Sequence, residues 1–136
     1  MKMIYCDNAA TTQINKEVIK EMISISSSVY GNPSSIHKFG QESKAVVERA
    51  RFNIANQLGV NLSEIIFTGC GTESNNIALL GALKSGDHLI TSSYEHPAVL
   101  RVANELEKSG VEVTYIKPSL DGIVSPFNVE AEIKKN

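Results

Sequence analysis

After Gly59 the apolar pattern changes period, and no other feature of the chain constrains the fold as strongly. Residues 65–68 (Ile-Ile-Phe-Thr) form a short β-rich run, and residues 75–83 read as a helix after two glycines. Residues 88–91 (His-Leu-Ile-Thr) predict a second strand, residues 97–108 a helix closed by Gly110, and residues 111–116 a third strand. Strands and helices that alternate over short connections require crossovers on a mostly parallel sheet, with helices covering both faces. The expected class is α/β. Upstream the periodic segments are helical. Val18, Ile19, Met22 and Ile25 share one stripe of a helix over residues 16–29, which Tyr30-Gly31-Asn32-Pro33 stops. GNPSSIHKFG, residues 31–40, has the composition of a loop. Val46, Val47, Ala50, Ile54 and Leu58 then mark a helix over residues 41–58, with Gly59 where a left-handed cap belongs. SPFNVEAEIKKN, residues 125–136, starts a further helix whose closing lysines are Lys134 and Lys135.

Composition narrows the function classes. A chain of 136 residues, 42% apolar and 21% charged, has the size of one ordinary domain and the balance of a soluble globular protein. Its net charge is −2 with both signs interspersed, so neither a nucleic-acid face nor a polybasic membrane patch is expected, and small-molecule chemistry is the better reading. No apolar run approaches the roughly 20 residues needed to span a bilayer, and MKMIYCDNAA lacks the apolar stretch of a signal peptide. A cytoplasmic location is therefore expected. Cys6 and Cys70 stand far apart without a C-x-x-C, and His37 and His88 recur at no metal-ligand spacing. No metal site is expected, and both histidines are read as structural or exposed.

Two stretches can carry chemistry. In open α/β folds, ligands bind at the carboxyl ends of strands, where helix starts present unpaired N–H groups and a partial positive charge. FTGCGTESNN, residues 67–76, lies at such a place: its glycines let the backbone approach an anion, and the Thr72 hydroxyl can bond a phosphate. The competing structural reading is a tight turn at Gly69 and Gly71 with Thr72 as helix cap. A dinucleotide site is a weaker match, because Ser74 replaces the third glycine, although Glu95 stands near the spacing of a ribose-binding acid. In TSSYEHPAVL, Pro97 suits the first helical position and makes His96 the cap, facing the same crevice as Thr72. There an imidazole can stack on a flat heterocycle and exchange protons near neutral pH; a histidine that only caps is the alternative. Cys70, beside a helix start, can be an activated thiol or a small gap-filling residue, and the latter is expected.

These stretches, taken in order, resemble a known family. YCDNAATT (residues 5–12), GNPSSIHKFG (31–40), ARFNIANQLG (50–59), IIFTGCGTESNNIAL (65–79) and EHPAVL (95–100) are similar to the amino-terminal part of the cysteine desulfurases. These are pyridoxal-phosphate enzymes of the class V aminotransferase group, fold type I. The resemblance implies that Gly71 and Thr72 hold the phosphate of pyridoxal 5′-phosphate, and that His96 stacks on its ring and assists proton transfer. It places residues 1–15 in the smaller domain and residues 16–136 in the first part of a large domain left incomplete, with the Gly-Asn-Pro loop at a homodimer interface. Asn8, Thr11, Asn32 and His37 are associated with the shape of the site, without a chemical role.

The implied reaction takes sulfur from L-cysteine, leaving L-alanine and an enzyme persulfide for iron–sulfur clusters or another sulfur acceptor. It needs a Schiff-base lysine and a sulfur-accepting cysteine. Both are expected outside these 136 residues, so the chain alone is expected to bind the cofactor weakly and to show no turnover. The residue run 65–68 is likewise expected to lack a neighbouring strand. The alternatives are a selenocysteine lyase or other class V lyase or aminotransferase, a non-catalytic remnant, and, more weakly, a dinucleotide-binding module.

Overall fold

A computed structural model of the chain describes residues 3–134. It divides into two compact units, residues 1–66 and 67–136.

In the first unit, α1 (Lys16–Ser28) starts where Asn15 accepts the Glu17 N–H at 2.8 Å, a side-chain cap followed by an acid in the positive first turn. Its apolar stripe stays open: α1 has no buried residue, and Met22 is 54% exposed. The next helix, α2 (Lys38–Leu58), begins at Lys38 rather than at Gln41, so the end of GNPSSIHKFG is helical and not loop. His37 explains the difference, since its Nδ1 accepts the Gly40 N–H and caps the helix. Phe39 stacks on Tyr30 with ring centroids 5.5 Å apart, which holds that first turn down. The glycines of the motif serve packing: a Cβ on Gly31 would lie 2.3 Å from the Phe39 carbonyl oxygen, and one on Gly40 2.3 Å from that of Ser35. Gly59 closes α2 with φ 68°, as its sequence position predicts. After a 3-10 turn, Leu62–Glu64, the Arg51 guanidinium donates to the Ile65 carbonyl.

The expected strand at residues 65–68 does not form. Ile65 is extended, with φ −95° and ψ 120°, but no ladder among the described residues includes the run. A strand is defined by the neighbour that takes its N–H and C=O groups, and local β propensity cannot supply one.

The second unit contains α3 (Gly71–Ala82), β1 (His88–Ser92), α4 (Pro97–Lys108), β2 (Glu112–Ile116) and α5 (Pro126–Ala131). β1 and β2 pair in parallel, from His88 opposite Glu112 to Ser92 opposite Ile116, with α4 as the crossover. Val102, Leu106 and Val111 form the buried centre, and Leu79, Leu83, Leu89 and Val113 pack around them. That cluster joins α3, α4 and the sheet. Each such side chain, fully buried, contributes roughly 1.5–3 kcal/mol. All five residues of β1 remain half-buried, so the expected covering of both sheet faces is not reached within this unit. No helix among the described residues is long and apolar enough to cross a membrane.

Candidate functional site

α3 begins earlier than its periodicity suggests, because Cys70 rather than Thr72 is the N-cap. Gly71 and Thr72 therefore occupy the first two helical positions, and their N–H groups belong to the set that has no acceptor within the helix. Thr72 does not cap. Neither Gly69 nor Gly71 has a positive φ, so the turn does not need glycine for its backbone conformation. A Cβ on Gly71 would meet nothing within 4 Å, which leaves open space over the start of the helix.

Among the four helices of 12 residues or more, α1, α2 and α4 carry side-chain caps, whereas α3 has none. The uncapped amides carry the partial positive charge of the helix end. Cys70 is exposed, and the gap-filling role expected for it is not seen.

His96 is the N-cap of α4, as Pro97 at the first position predicts. Its Nδ1 accepts the Ala98 N–H at 3.1 Å, so the neutral ring carries its proton on Nε2. The cap fixes one edge of the imidazole and leaves the other for a partner. Thr72, Asn76 and Leu80 of α3 face His96, Ala98, Arg101, Val102 and Glu105 across a cleft of about 400 Å³. The structure thus brings Thr72 and His96 together, from two consecutive helix starts. Gly71 does not line this cleft and stands beside Thr72 at the helix end.

The sequence reading passed over Asn76, Arg101 and Glu105. Spacing held the signal, since Asn76 lies one helical turn beyond Thr72, and Pro97, Arg101 and Glu105 recur every fourth residue along one face of α4. Asn76 Nδ2 donates to the Thr72 carbonyl at 2.7 Å, tying it to the same turn.

Other motif residues have local structural roles. Asn8 accepts the Thr12 hydroxyl through its carbonyl at 3.2 Å, the Thr11 carbonyl accepts the Tyr5 hydroxyl at 3.1 Å, and Asn32 Oδ1 accepts the Ser34 N–H at 2.9 Å. His88 is half-buried with Nε2 2.9 Å from the Thr114 hydroxyl across the two strands. Ser74, which stands in place of a third dinucleotide glycine, uses its hydroxyl 2.6 Å from that of Thr68.

The family model of the class V aminotransferases ("Aminotransferase class-V") matches residues 4–136. The chain belongs to this family. As a class V member it is 45% identical to a cysteine desulfurase IscS of Dictyoglomus turgidum over 98% of its length and 35% of that protein's. It is 43% identical to cysteine desulfurase 2 of Trichormus variabilis, over 98% of this chain and 34% of the relative. Among solved structures, a NifS-like protein matches with a TM-score of 0.79 at 36% identity, over 94% of this chain and 36% of the other. SspA, solved in complex with cysteine, matches with a TM-score of 0.81 at 39% identity, over 94% of this chain and 38% of the other. The class V chain thus spans about a third of the length of the relatives it matches, and its α/β fold is theirs over that part.

One stretch, Ser35-Ile36-His37-Lys38, has the order Ser-x-His-Lys, the context in which the resemblance to the desulfurases implies a Schiff-base lysine. Its local structure accounts for it otherwise. His37 is the cap of α2, and the Lys38 side chain is 85% exposed, its ammonium 3.8 Å from Glu42.

Proposed function

We propose that this chain is the cofactor-gripping amino-terminal third of a pyridoxal-phosphate-dependent cysteine desulfurase. The observation that carries the reading is the meeting of Thr72 and His96 in one cleft, each delivered by the start of a helix. Gly71 and Thr72 bind the cofactor phosphate: open space above Gly71 admits it, the first α3 amides meet its charge, and the Thr72 hydroxyl adds a hydrogen bond. His96 would stack against the ring; with Nδ1 accepting the Ala98 N–H, its neutral imidazole offers the Nε2–H there as a donor, and taking up a proton would require Nδ1 to leave the cap. Leu80 and Val102 give the cleft apolar lining beside that contact.

Bound there, pyridoxal phosphate supplies the electron sink that lets a substrate amino acid lose a substituent as sulfur. L-cysteine is the substrate class in this reading, supported by the desulfurase relatives and by SspA solved with cysteine. L-alanine and a persulfide are its products, the latter passed to a sulfur-acceptor protein for iron–sulfur clusters or another end. The reading also takes a cytoplasmic homodimer, with residues 1–15 in a smaller domain and 16–136 in the large one.

A chimera tests it, in which these residues replace the matching third of the Dictyoglomus turgidum desulfurase. It is expected to hold pyridoxal phosphate and release alanine from L-cysteine. Thr72→Val in that chimera, which deletes one hydrogen bond to a charged group, is expected to weaken cofactor retention on the order of tenfold. Release of no alanine by a folded, cofactor-loaded chimera would overturn the assignment.

A further inference from the structure

We propose that Glu73 is a positioning residue that holds the start of α3 open for the phosphate, an inference that rests on the cofactor reading above. The Glu73 carboxylate accepts the Gly69 N–H at 2.6 Å. Beside it, the Thr68 and Ser74 hydroxyls lie 2.6 Å apart, and both reach the Cys70 carbonyl, at 3.3 and 3.4 Å. These bonds close the turn without using an amide of the first helical residues. An ordinary side-chain cap takes one of those amides for itself. Glu73 instead reaches back past the N-cap, to Gly69, and α3 is left with no side-chain cap at all. The turn is thus closed by side-chain hydrogen bonds while the N–H groups of the first helical residues stay unspent. This arrangement sets the hydrogen bond of Glu73 against its charge, because a carboxylate in the first turn repels an incoming phosphate as it shapes the place for it.

The two contributions are separable by substitution. Glu73→Gln keeps an acceptor and removes the charge, Glu73→Asp keeps the charge and shortens the reach, and Glu73→Ala removes both. The probes are pyridoxine 5′-phosphate and pyridoxine, which have no aldehyde to react with surface lysines, titrated into the ¹⁵N-labelled 136-residue chain. Amide shifts of Gly69, Gly71 and Thr72 report binding, and hydrogen exchange at Gly69 reports the clamp.

Glu73→Ala and Glu73→Asp are expected to speed Gly69 exchange and to weaken pyridoxine 5′-phosphate on the order of fivefold, the effect of losing one bond to a charged group. Pyridoxine itself should bind as before. Glu73→Gln should keep Gly69 protected and bind the phosphate ligand at least as tightly as the unmutated chain. Equal weakening of both ligands, or phosphate binding untouched by Glu73→Ala and Glu73→Asp, would overturn the inference. Should the unmutated chain bind the two ligands equally, the phosphate reading of α3 fails first and takes this inference with it.

Discussion

His96 has two duties that a substitution can separate. Its Nδ1 caps α4, and its ring forms part of the cleft wall. Asparagine is among the best N-caps, so His96→Asn should leave the thermal stability of the chain within error while removing the stacking surface. His96→Ala removes both and should lower stability by about 1 kcal/mol, read by urea denaturation followed by circular dichroism. Equal stability loss in the two variants would show that the ring, and not the cap, supports the helix. At this scale the sequence was legible where a residue acts on its own backbone neighbours. Pro97 announces His96 as a cap, and Gly59 announces a left-handed terminus. It was misleading at Cys70, where residue type suggests burial and the turn leaves the side chain exposed.

Among the elements, the link between β2 and the chain end is electrostatic. The Lys134 ammonium hydrogen-bonds Glu112 and holds its carboxyl below the ordinary value of 4.5; desolvation works against this, and the charges of Lys134 and His88 assist it. Because the folded carboxyl titrates lower than the unfolded one, the unfolded chain takes up the proton first. The contribution of the pair is present above the ordinary carboxylate value and is lost as the pH falls through the depressed one. Lys134→Met should therefore move the Glu112 carboxyl titration up toward 4.5 in an NMR experiment. Both side chains are exposed, so the melting temperature at pH 7 should barely change. An unmoved titration would mean that Lys134 does not set the carboxyl. The sequence showed the elements themselves more clearly than this link between them. α1, α2, α4 and β2 match their periodicities to within a few residues, while α2 and α3 start early because a histidine cap and an uncapped turn extend them into glycine-rich stretches.

For the whole molecule, the decisive quantity is how much of the desulfurase fold these residues supply. They match about a third of the relatives' length, and the two strands β1 and β2 make the whole sheet of the described residues. A two-stranded sheet with half-buried residues gives a cofactor few walls. The 136-residue chain alone, supplied with pyridoxal phosphate and L-cysteine, should release no alanine. Alanine release that survives purification, together with a borohydride-stable adduct, would show that the chain carries its own Schiff-base lysine.

Local information was enough for the bodies of the helices, for the caps at His96 and Gly59, for the parallel pairing and for the family, because each is set by residues a few positions apart or by motifs in fixed order. What only the tertiary structure decided depends on distant partners. Residues 65–68 have the composition of a strand; the resemblance already implied a missing neighbour, and the structure shows that among the described residues the run joins no ladder and is no strand. Thr72 and His96, 24 positions apart, share a cleft because Leu79, Leu83 and Leu106 pack α3 against α4. Propensity assigns a residue its conformation, but only burial between elements sets which side chains face each other.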